Sequence, residues 1–148
     1  MRKIFLAFVL TSLVITSCGQ TKTDKQVSTE NLPTEVNTEQ FIEQIIDFRD
    51  KDWRFLGDQP VVIDFYASWC PPCKKLSPIL DELSQEYKGK VKFYKVNVDN
   101  EPDLVKVFDI KSMPTLVYVA LNGDLTSSIG YMTKKKLIEL IEENLLDK

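Results

Sequence analysis

Apolar and polar positions divide this chain into an unusual leader, a polar stretch and a folded unit. Residues 4–15 are almost unbroken hydrophobic positions, interrupted only by Thr11 and Ser12. Residues 19–35 then hold Gln, Thr, Lys, Asp, Ser and Asn, with no apolar face to bury, and read as a flexible tether. Asn37 with Gln40 three residues on marks a helix start. Phe41, Ile42, Ile45, Ile46 and Phe48 keep one face of that helix apolar. A short strand around Glu35 and Val36 precedes it. Residues 49–59 form a charged connection whose one tryptophan, Trp53, is expected to pack over the first helix.

Residues 61–67 are a run of β-branched and aromatic positions, the pattern of a strand covered on both faces, with Asp64 anomalous in its middle. A helix over 73–87 follows, with Leu76, Ile79, Leu80 and Leu83 inward, Pro78 expected to kink it and Gly89 ending it. Residues 91–98 are a second buried strand, and Pro102 opens a short helix to Val107. Strands over 116–121 and 125–129 flank Asn122-Gly123, a hairpin-turn signal. Thr133 caps a last helix with Leu137, Leu140, Ile141 and Leu145 inward. The order β-α-β-α-β-α-β-β-α predicts an α/β fold. One mixed sheet has parallel crossovers and a C-terminal antiparallel hairpin, with helices on both faces.

Composition narrows the chemistry. A chain of 148 residues has room for one domain. Its net charge of -3 offers no electrostatic footprint for nucleic acid. The absence of histidine removes the usual general base and the commonest metal ligand. Three cysteines remain, Cys18, Cys70 and Cys73, so one stands outside any pair.

The leader explains the odd one. Arg2 and Lys3 precede an apolar core shorter than the ~20 residues of a membrane span. Ile15-Thr16-Ser17-Cys18 then resembles the lipobox of bacterial lipoproteins. That resemblance implies cleavage before Cys18 and lipidation of its sulfur; an uncleaved anchor or an ordinary secretory signal is the alternative. The expected organisation is a signal peptide over 1–17, a tether over 18–35 and a folded domain over 36–148. Loss of Arg2 and Lys3 takes the charge from -3 to -5, so lipid rather than charge would hold the chain to a membrane. The domain would then sit in the bacterial cell envelope facing the periplasm, where disulfides persist.

Trp69-Cys70-Pro71-Pro72-Cys73 falls where a buried strand gives way to a helix. Two cysteines so spaced on a first helical turn reach disulfide distance without backbone distortion. The helix dipole and free N–H groups there favour a thiolate at Cys70, and Lys74 and Lys75 add positive charge. Half of a zinc site is a second reading, but neither a histidine nor another cysteine pair completes it. A structural disulfide is a third, though so small a loop restricts the unfolded chain little.

The stretch from Val62 through Asp64, Trp69, Cys70 and Cys73 to Lys74 resembles the active-site segment of thioredoxins. Pro78 to Leu83 resembles their kinked helix, Lys95 to Asp99 their central strand, Ser112-Met113-Pro114-Thr115 their cis-proline loop, and Asn122-Gly123 their hairpin. The resemblance runs from about Val36 to the end and implies a thioredoxin fold and thiol–disulfide exchange. It implies Cys70 as attacking thiolate and Cys73 as resolving thiol. Asp64, its pKa raised by burial, would exchange a proton with Cys73, with Lys95 across from it as modulator. It further implies a cis Pro114 that presents the Met113 backbone to an extended client, and an apolar landing surface of Trp69, Met113, Pro71 and the Gly130 loop. No cofactor or metal is called for. The expected partners are disulfide-containing proteins and, since no nucleotide-binding motif is present, a membrane electron conduit as reductant; the chain is expected to be a monomer.

Pro71 stands where thioredoxins usually carry glycine, and Tyr66 where they often carry tryptophan. A reductase of periplasmic disulfides is the leading expectation. A thiol oxidase lacks its large helical insertion here, a dedicated apocytochrome c reductase lacks its extra segments, and a redox-inactive binding module sits poorly with two intact cysteines.

Overall fold

A computed structural model describes residues 31–49 and 51–147. The expected signal peptide, Cys18 and the tether up to residue 30 lie outside the described residues. Five strands form the main sheet in the order β1-β5-β4-β6-β7. They are β1 (Thr34–Glu35), β4 (Val61–Tyr66), β5 (Lys92–Asn97), β6 (Thr115–Val119) and β7 (Leu125–Ile129). β1, β5 and β4 run parallel, while β6 and β7 are antiparallel additions. Thr34 and Glu35 pair with Tyr94 and Lys95, so the folded domain takes in two residues assigned above to the tether.

The period of two along β4 sorts its side chains between two cores. Val61, Ile63 and Phe65 pack with Phe41 of α1 (Thr38–Gln44) and Leu104 of α3 (Pro102–Val107). Val62 packs with Leu76, Leu80 and Leu83 of α2 (Pro71–Glu86) and Leu137 and Ile141 of α4 (Lys134–Ile141). Asp64 shares the parity of Val62 and therefore lies on the α2 side. These two apolar layers hold the sheet, each fully buried leucine or phenylalanine contributing about 1.5–3 kcal/mol.

Asn37 makes the expected capping box: its Oδ1 accepts from the Gln40 N–H at 2.9 Å, and Gln40 Oε1 accepts from the Asn37 N–H at 3.1 Å. The first helix stops at Gln44 rather than running to Phe48. Ile46–Asp47 forms β2 and pairs with Arg54–Phe55, β3, inside the segment expected to be only a charged connection. Consecutive β-branched Ile45, the C-cap of the helix, and Ile46, the first strand residue, favour that switch, and both are buried. Trp53 does pack at this end, with its ring centroid 5.4 Å from Phe108 and 6.0 Å from Phe48, yet it stays 43% exposed. α2 starts at Pro71, two residues earlier than expected, because a proline suits the first helical position, whose N–H has no partner to lose. The last helix ends in a wider turn over Glu142–Leu146. Among the described residues no helix is long and apolar enough to cross a membrane.

Candidate active site

Cys70 is the N-cap of α2 and is bonded to Cys73 in a disulfide, with Cα atoms 5.3 Å apart. The Cys73 N–H donates to Cys70 Sγ at 3.2 Å, so one free amide of the first turn points at the N-terminal sulfur. Pro71 and Pro72 occupy the positions between and bring no N–H. The Cys70 N–H itself donates to the Ala67 carbonyl at 3.2 Å. Both cysteines are 3% exposed in this oxidised form, so exposure does not separate them.

Their surroundings do. A cavity of about 110 Å³ behind the disulfide is lined by Asp64, Tyr66, Cys73, Lys74, Ser77 and Lys95, but not by Cys70. It has room for water. Asp64 is 3% exposed, and its Oδ1 meets no hydrogen-bond donor. Burial pushes its carboxyl up to about 7, with Lys95 pulling it partly back. Lys95 is the register partner of Asp64 on β5, and its Nζ lies 4.8 Å from the centroid of the Tyr66 ring.

Pro114 follows a cis peptide bond after Met113, and Met113 packs against the cysteine pair. The Gly130 N–H donates to the Pro114 carbonyl at 2.7 Å, which brings the loop after β7 to the same place. Gly130 has φ +90°, a conformation side chains rarely adopt. Trp69 is 62% exposed, and its indole N–H donates to the Asp99 carboxylate at 2.9 Å. Pro71 is exposed as well.

Cys70, Cys73, Asp64, Lys95, Met113, Pro114 and Gly130 therefore converge at the ends of β4 and β5 and the start of β6. Trp69 and Pro71 flank the pair along the chain. Sequence reasoning gave no role to Asp99 or Tyr66. An acidic residue two positions past β5, within reach of the Trp69 indole, is the available signal for the first; for the second, the sequence offers only an aromatic in place of tryptophan.

Residues 32–143 match the family model described as Thioredoxin. This chain belongs to the thioredoxin family. It is 39% identical over 106 residues to the thioredoxin of Borreliella burgdorferi, covering 71% of this chain and 91% of that protein. It is 36% identical over 107 residues to the M-type chloroplastic thioredoxin of Spinacia oleracea, covering 70% of this chain and 59% of that one. The crystal structure of chloroplastic thioredoxin z, described as defining a type-specific target recognition, superposes with a TM-score of 0.63 at 27% identity, over 76% of this chain and 93% of that one. The expected thioredoxin fold is thus the observed one. The chain is a thioredoxin-family thiol–disulfide oxidoreductase, and its Cys70–Cys73 pair fits the active dithiol.

Proposed function

We propose that this thioredoxin-family protein reduces disulfides of extracytoplasmic proteins, anchored to a bacterial membrane through lipidated Cys18. The observation that carries the division of labour is the cavity that Asp64 shares with Cys73 and not with Cys70. The Cys70 thiolate attacks one sulfur of a client disulfide; that S–S bond breaks and one client sulfur leaves as thiolate. Cys73 gives its proton to the Asp64 carboxylate through water in the cavity and attacks Cys70 Sγ. The intramolecular disulfide closes and the second client thiolate leaves. Two electrons have passed from the dithiol to the client, and Asp64 holds the proton.

A carboxyl titrating near 7 suits that exchange, because it can both accept and return a proton at neutral pH. Lys95 sets how firmly it holds the proton. Trp69, Pro71, Met113, the cis Pro114 and Gly130 form the client surface, on which an extended segment pairs with the Met113 backbone. The lipobox-like Ile15-Thr16-Ser17-Cys18 supports the envelope location. A membrane electron conduit returns the dithiol to its reduced form, since the chain carries no nucleotide-binding motif.

The test is a trapping pull-down with Cys73→Ser. The variant should retain extracytoplasmic client proteins as mixed disulfides through Cys70, whereas Cys70→Ser should retain none and lose insulin reduction. Trapping through Cys73 in the Cys70→Ser variant would reverse the assigned roles.

A further inference from the structure

We propose that Tyr66 is a positioning residue: its ring holds the Lys95 ammonium and thereby keeps Asp64 from acquiring an ion pair. Asp64 and Lys95 are register partners on adjacent parallel strands and line the same cavity. Such neighbours lie about 4.8 Å apart at the backbone, well within a lysine's reach. Yet none of the ion pairs among the described residues joins them, and Asp64 Oδ1 has no hydrogen-bond partner. The ammonium instead lies over Tyr66, 4.8 Å from the ring centroid.

A carboxylate also stands at the sheet edge: Glu35 on β1 is the register partner of Lys95, and burial, with Glu35 beside it, pushes the pKa of the Tyr66 hydroxyl up. The other charged or titratable groups around this point come from α2: Cys73 and Lys74 in the cavity wall, and Asp81, whose carboxyl is raised by burial and drawn back by Lys95. β6 presents apolar Leu116 opposite Asp64. A cation over an aromatic face gives up less hydration than one stripped to meet a buried carboxylate. The tyrosine therefore offers Lys95 the cheaper site. Without the ring, the nearest counter-charge in the cavity is Asp64.

This inference deepens the reading of Asp64 as the proton acceptor of Cys73 and rests on it for its meaning in turnover. NMR titration of the Asp64 carboxyl carbon in the oxidised full chain tests it without turnover. The midpoint, about 7 in the parent, should fall by about one pH unit or more in Tyr66→Leu as Lys95 swings onto the carboxylate. It should stay in place in Tyr66→Phe, which keeps the ring, and rise in Lys95→Met. In the Lys95→Met background, adding Tyr66→Leu should cause no fall. A midpoint unmoved or raised in Tyr66→Leu, or lowered equally without Lys95, would overturn the proposal. The pH profile of insulin reduction separates the two readings: a shifted midpoint with an unshifted profile supports the positioning role and removes Asp64 from the reaction.

Discussion

Asp64→Asn should gain stability relative to the parent, in the oxidised protein, as pH rises. In the folded chain burial holds this carboxyl at about 7; its ordinary value is 3.8. The difference of about three pH units, at 1.36 kcal/mol each, amounts to about 4 kcal/mol. The sign follows from proton counts. Between those two values the native state keeps a proton that the unfolded chain has released, so native stability falls as pH rises. Below both values the term vanishes, and above the folded value it is fully present. Asparagine removes the titration but brings an amide into a site whose Oδ1 already lacks a partner, a cost of about 1–3 kcal/mol that does not vary with pH. The informative quantity is therefore the change with pH. Urea unfolding of parent and variant, near pH 4 and near pH 8, should show the variant gaining about 4 kcal/mol relative to the parent between the two conditions. A relative stability constant within about 1 kcal/mol across that interval would refute the burial argument.

Pro71→Gly should restore a donor to the first turn of α2 and let Cys70 ionise more readily. Ultraviolet thiolate absorbance against pH on the reduced protein should show a midpoint lower by about half to one pH unit, and an unchanged midpoint would remove the amide argument. Cys18→Ala should release the chain from the membrane fraction of a lipoprotein-processing bacterium; a variant that still sediments with membranes would place the anchor elsewhere.

Most of the architecture was legible because it follows from periodicity. The strand over 61–67, the stripe of Leu76, Leu80 and Leu83, and the Asn37–Gln40 cap are local patterns that a sheet and its helices can satisfy in one way. The dithiol was legible because Cys70 and Cys73 stand where a buried strand meets a helix. What escaped was non-local. β2 and β3 are two residues each, too short for a period, and exist because Ile46 finds Phe55 across a turn. The shared ammonium of Lys95 escaped for a similar reason: its ring partner, Tyr66, lies on a neighbouring strand and one level up.

Two periodicities place the buried carboxyl of Asp64. Along β4, Val62 and Asp64 face α2; along α2, Cys73, Leu76, Leu80 and Leu83 face the sheet. Asp64 is therefore the polar end of one apolar row, and Cys73 is the first member of the other. They meet where the hydrophobic stack runs out, so the leucines and valines that stabilise the domain are the same groups that strip water from the carboxyl. No like charge is needed to raise its pKa, and the nearest cation opposes the rise. Loosening that stack to relieve Asp64 would weaken the fold and acidify the carboxyl together. The domain can hold a proton beside Cys73 at neutral pH only by keeping a buried carboxylate costly, and that is why stability and the proposed proton transfer cannot be tuned apart by repacking the core.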